Sequence, residues 1–257
     1  MADLPPGIFR SWRSYWDFAR SVSRELRFVR TPETEDFLAA VLETSASRRI
    51  TIPAGELYWR AQLGHGWRPM GSDSDDLIPC AYPRERMKPL AGRASDGRAN
   101  PRGIPCLYVS TTKETAMSEV RPWVGSYVSV GQFEILRDLT IVDCARGHTG
   151  TPFFFEEPSP EVRMNTIWTH IDHAFAEPMT RSDDQADYAP TQILAELFKS
   201  AGINGVVYKS NFGDEGFNIA LFDPECAELI NCGLYEVKRM EPSFVEADAF
   251  YFVKRPS

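Results

Sequence analysis

Apolar residues fall at Trp12, Trp16, Ala19, Val22 and Leu26, a spacing of three to four that predicts a helix over 12–28. Thr31-Pro32 then offers a cap and a preorganised first turn to a second helix, with Phe37, Leu38, Val41 and Leu42 on one face. The pattern changes at Glu56. The stretch ELYWRAQL, bounded by Gly55 and Gly64, is rich in aromatics and reads as a strand, with Arg60 at its middle where a charged side chain ordinarily faces solvent. Cys106 to Ser110 predicts a short apolar strand, and Thr111 with Glu114 three residues on is a capping-box signature for a helix opening near Thr112. Tyr127 to Ile135 alternates apolar and polar positions, and Leu139 to Val142 continues as strand. Phe153 to Phe155 reads as an aromatic piece of core, and Met164, Trp168, Ile171 and Phe175 form a helical stripe. A further helix over 190–201 closes at Gly202. Strands follow over 203–209 and 217–222, with two weaker ones over 234–240 and 249–253.

Strands recur on both sides of a few helices without regular βαβα alternation, which predicts an α+β fold with mixed or antiparallel sheets. The chain lacks both a GxGxxG after a strand and a P-loop, so the two common nucleotide-binding fingerprints are missing. The two leading helices are expected to form an N-terminal helical extension over 1–50, ahead of a main domain over 51–257. That extension either braces the core or presents Trp12 and Trp16 as a docking patch. Residues 71–105 are irregular and longer than an ordinary connector. Their charge reverses from Asp73, Asp75 and Asp76 to Arg84, Arg86, Lys88, Arg93, Arg98 and Arg102, a basic cluster suited to cradling phosphate groups.

The balance of 28 basic against 36 acidic residues gives a net charge of −8 over 257 residues, which disfavours nucleic acid and anionic membrane as partners. Five scattered cysteines without a CxxC pair fit reduced thiols in the cytoplasm rather than a disulfide framework. His170 and His173 stand three apart without further ligands at metal spacing, so no metal is expected. Strand, turn and helix over 97–123 would bring Arg98, Tyr108 and Glu119 to one pocket. That set suits an anionic substrate whose bond breaks toward a cation.

Three ordered blocks resemble the RES domain family: YWRA around Arg60, GRANPRGIPCLYVSTTKETAMSEV, and YAPTQILAELFKSAGINGVVYKSNFGDEGFNIALF. Together they span Leu57 to Pro224. The resemblance implies an ADP-ribosyltransferase-like core and a toxin of a bacterial type II toxin–antitoxin system. Its reaction would be cleavage of the nicotinamide–ribose bond of NAD+, as a phosphorylase or a glycohydrolase. NAD+ is then substrate rather than cofactor, phosphate a candidate co-substrate, and a cognate antitoxin and a homo-oligomer the partners left open. Carried over by motif, Glu119, Arg60 and Ser210 are the catalytic candidates, while Arg98, Tyr108 and Tyr58 join Arg60 and Ser210 in binding substrate. Two alternatives stand beside this reading: a protein ADP-ribosyltransferase on the same fold, and a non-enzymatic binding module. The chain departs from the family at Ala99, where an aromatic is common, and the first fifty residues lie outside its motifs.

Overall fold

The computed structural model describes residues 8–71, 75–90, 92–147, 150, 152–177, 185–212 and 216–241. The helices are α1 (Ser14–Arg24), α2 (Pro32–Ser45), α3 (Arg84–Met87), α4 (Lys113–Glu119), α5 (Pro160–Ala176) and α6 (Ala189–Ser200). The strands are β1 (Arg49–Ile52), β2 (Leu57–Leu63), β3 (Gly66–Pro69), β4 (Leu77–Cys80), β5 (Leu107–Ser110), β6 (Tyr127–Ile135), β7 (Leu139–Asp143), β8 (Gly205–Lys209), β9 (Phe217–Leu221) and β10 (Ala227–Glu236). Eight of them form one sheet in the order β1-β7-β8-β9-β5-β2-β6-β10, and β3 with β4 makes a separate ribbon. β7 and β8 run parallel while the other pairs are antiparallel, so the fold is α+β with a mixed sheet.

The period-two pattern sorts the strands' side chains. Val142, Val206, Tyr208 and Ala220 join the larger apolar cluster, with Trp168 and Phe175 of α5 and Leu194 and Phe198 of α6. Their neighbours Ile141, Val207, Ile219 and Leu221 belong instead to a second cluster with Phe133, Ile135 and Met87. The N-terminal helices share the larger core: Tyr15, Phe18 and Val22 of α1 and Phe37, Leu38 and Val41 of α2 are members of it. Phe18 and Phe37 stack with ring centres 4.6 Å apart. Burial of each such ring is worth about 1.5–3 kcal/mol.

Several local expectations shift. Trp12 is only 3% exposed, with Phe153 and Phe154 edge-on to it, so it offers no docking face. Phe153 and Phe155, expected in the core, lie at the surface. The irregular stretch contains β4 and α3, and the strand expected over 234–240 begins earlier as the long β10. Asp73 and the strand expected over 249–253 lie outside the described residues. Among the described residues no helix is long and apolar enough to cross a membrane.

One irregularity in the sheet makes the site. β2 pairs with β6 over seven positions, from Leu57–Glu134 to Leu63–Val128. Toward β5 it pairs at one position, Trp59 with Ser110, and the strands diverge from there.

Candidate active site

Where β2 and β5 part, backbone groups on β5 lose their strand partners, and a buried carbonyl without a donor is costly. Arg60 supplies the donor: its Nη1 bonds the Tyr108 carbonyl at 2.9 Å. The side chain is sunk into the cleft wall, where burial pulls its pKa below the usual arginine value against the opposing pull of Cys106 and Tyr108. Its Nε is buried without a hydrogen-bond partner.

Glu119 is brought in by α4. Thr112, rather than Thr111, caps this helix, its Oγ1 accepting from the Thr115 amide at 3.1 Å. Thr111 turns to β9, where its Oγ1 accepts from the Phe217 amide at 3.1 Å. Ala116 anchors α4 on Ala61, Val128 and Val130 of β2 and β6. Gly216 allows the close approach, since a Cβ there would lie 2.0 Å from the Thr115 hydroxyl.

Glu119 closes the helix at the cavity mouth as an exposed residue with an anchored carboxylate. Its Oε1 accepts from the Ser210 hydroxyl at 2.7 Å and from the Asn218 amide nitrogen at 2.5 Å. Among the described residues no bond falls on Oε2. Ser110 donates to Asn218 Oδ1 at 2.7 Å, which orients that amide with its nitrogen toward Glu119. Ser210 and Asn218 are 3% and 5% exposed, so both donors are held in a dry wall.

The resulting cavity of about 540 Å³ is lined by Arg60, Tyr108, Ser110, Glu119, Tyr208 and Asn218, among others. The Tyr208 hydroxyl is pushed well above the ordinary tyrosine range, first by burial and then by the charge of Glu119. Tyr108 spends its hydroxyl on the preceding loop. It donates to Asn100 Oδ1 at 2.7 Å and accepts from the Ala99 amide at 2.9 Å. Gln192 clamps the same turn from α6, its Nε2 3.0 Å from the carbonyls of both Gly97 and Asn100.

Of the six residues singled out from the sequence, Glu119, Arg60 and Tyr108 line this cavity, and Ser210 stands behind Glu119, outside the lining. Arg98 lies next door, its Nη2 donating to the Glu177 carbonyl at 2.6 Å and its guanidinium 4.9 Å from the centre of the Tyr188 ring. It lines a second cavity of about 590 Å³. Tyr58 packs against the cluster of Val109 and Phe133 and is absent from the lining of the Glu119 cavity. The expected phosphate cradle is dispersed. Arg84 and Lys88 pair with Glu228 at 2.7 and 3.3 Å, and Arg86 covers Tyr82. Ser110, Tyr208 and Asn218 were not foreseen. The signal was present for Asn218, a polar amide opening an otherwise apolar buried strand, which needs partners wherever it sits. Among the described residues no group of three metal-ligating side chains stands close enough to hold a metal.

Residues 77–236 match the family described as the RES domain, a span that includes Arg98, Tyr108, Glu119 and Ser210 and leaves Arg60 and the N-terminal helices outside it. Among solved structures, a chain from the M. tuberculosis MbcT–MbcA toxin–antitoxin complex aligns with 15% identity over 76% of this chain and 92% of that one, with a TM-score of 0.41. No curated protein matches the sequence.

Proposed function

This chain belongs to the RES domain family, and from that premise we propose that it degrades NAD+ by cleaving the nicotinamide–ribose bond, as the toxin partner of an antitoxin. The observation that carries the reading is the meeting of Glu119, anchored through one oxygen, with Arg60 in a single cavity. As the bond breaks, its electron pair leaves with nicotinamide, which departs neutral, and the ribose carbon gains oxocarbenium character. The second oxygen of Glu119 meets that charge, which is larger in the transition state than in the substrate, so the contact accelerates the step rather than merely binding. Ser210 and Asn218 fix the carboxylate beforehand, which removes reorganisation from the step. Water then adds to the carbon and releases its proton to solvent, giving ADP-ribose; if inorganic phosphate adds instead, the product is ADP-ribose phosphorylated at that carbon.

Arg60, held by its Nη1 on the Tyr108 carbonyl and lining the cavity, is the group for a phosphate oxygen. Tyr108 offers its ring to the nicotinamide, its hydroxyl being occupied by the loop. Arg98 serves the same substrate from the adjoining cavity. Tyr58 takes no part, given its packing. The ADP-ribosyltransferase-like architecture inferred from the resemblance belongs to this reading.

The test is incubation of the purified chain with NAD+ labelled in the adenosine half, with and without phosphate. Free nicotinamide with a small labelled product is the expected result, and the phosphate arm tells phosphorylase from glycohydrolase. Label moving onto protein would replace the reading by ADP-ribosyl transfer, and intact NAD+ would reject it.

A further inference from the structure

Beyond Arg98, the second cavity has a lining that the chemistry at Glu119 does not use. One wall is α1, with Tyr15, Trp16, Arg20 and Arg24, which lies outside the family match. The other wall carries Arg98, His170, Glu177, Asp187 and Asn211. His170 is 3% exposed, and neither ring nitrogen has a hydrogen-bond partner. Arg98 Nε is orphaned in the same way. Trp16 stacks on the His170 ring, with centres 4.7 Å apart, meets Trp12 at 5.1 Å in a T-shaped pair, and is still 42% exposed.

These groups divide into three chemistries. Trp16 offers a stacking surface for a heterocycle, held from beneath by the His170 ring. Glu177 and Asp187 are acceptors of the kind that hold ribose hydroxyls. Arg20, Arg24 and Arg98 are guanidinium forks for phosphate. Arg20 is drawn partly to Asp17 and Glu25, at 3.3 and 3.9 Å, while Arg24 has no ion-pair partner among the described residues. Base, sugar and phosphate are the parts of one nucleotide. The cavity also adjoins the Glu119 site, because Ser210, which bonds Glu119, is followed directly by Asn211 on the wall of the second cavity.

We propose that the cavity between α1 and the C-terminal half of α5 binds a nucleoside monophosphate unit. Its two candidate sources are the adenylate half of the NAD+ invoked above, an assignment that rests on that reading, and a free mononucleotide. The N-terminal helix is then part of a ligand site as well as a brace.

The experiment is calorimetric titration of the whole chain with AMP, with ribose 5-phosphate as the probe lacking a base. AMP is expected to bind, and ribose 5-phosphate at least about tenfold more weakly for want of a ring to stack. Arg24→Ala changes an exposed side chain and is expected to weaken AMP about tenfold or more with the thermal melt unchanged; Trp16→Ala, which also uncovers the His170 ring, is expected to weaken it as much in a chain that still melts cooperatively at a lower temperature. AMP competing with NAD+, and Trp16→Ala raising the KM for NAD+ at constant kcat, would identify the adenylate half as occupant. AMP binding alongside NAD+ without competition would identify a free mononucleotide. Absence of AMP binding in a folded chain, or equal affinity in both variants, overturns the proposal whether or not NAD+ is cleaved. AMP binding in a chain that leaves NAD+ intact would keep this site while removing the catalytic reading.

Discussion

Glu119→Gln preserves the outline of the side chain and a carbonyl oxygen, so Ser210 and Asn218 keep an acceptor. What goes is the negative charge. In the free protein the two bonds become neutral, each weaker by about 1 kcal/mol. Part of that returns, because Glu119 is the last residue of α4, where a carboxylate opposes the helix dipole by about 0.3–1 kcal/mol. The net cost to stability is therefore about 1 kcal/mol, a Tm shift of about 2–4 °C for a chain of this size. The transition state loses more, since removing one such electrostatic contact lowers kcat by about 10²–10³, or roughly 2.7–4 kcal/mol. That gap separates catalysis from folding. Nicotinamide release at saturating NAD+, with KM and a thermal melt in parallel, reads both. The expected result is kcat down at least about a hundredfold with KM changed less than about threefold. A folded variant that keeps kcat within about threefold of the parent refutes the role of this carboxylate.

Arg60→Lys loses the fork that reaches the Tyr108 carbonyl, and NAD+ affinity is expected to fall about tenfold or more by calorimetry; equal affinity removes Arg60 from the site. Tyr108→Phe keeps the ring and deletes the hydroxyl joining Asn100 to Ala99, so urea unfolding should show a loss of about 1–3 kcal/mol, and an unchanged midpoint would show the loop is held otherwise. Burial holds the His170 pKa down to about 4, against about 6.5 in the unfolded chain. The unfolded state takes up the proton first, so stability is full above about pH 6.5, falls by about 2 kcal/mol by pH 5, and levels off below about 4. His170→Gln should flatten the pH 5–6.5 part of that curve in urea midpoints, and an identical slope would assign the proton elsewhere.

The helices and most strands were legible because their apolar periodicity is strong, and Thr31 and Gly202 sit where caps belong. The capping residue of α4 was missed by one position, since Thr111 and Thr112 both qualify locally and the choice is made by Phe217 on a strand far along the chain. Phe153 to Phe155 misled because an aromatic triplet looks apolar whether or not anything covers it. Within the site, the residues with motif context were legible, and their partners were not. Asn218 meets Glu119 across 99 positions, a contact no local pattern encodes. Arg98 shows the converse: its place beside Tyr188 depends on where 97–100 is clamped by Tyr108 and Gln192.

The single rung between Trp59 and Ser110 divides the eight-stranded sheet into two plates. Arg60 rides on one plate, Asn218 and Ser110 on the other, and α4 straddles the seam with Ala116 on the first plate and Glu119 tethered to the second. The Arg60 guanidinium, bonded to the Tyr108 carbonyl, ties the two plates a second time beside that rung. The seam is therefore held by one backbone rung, one buried guanidinium and one short helix, and a substitution at any of the three acts on both plates at once.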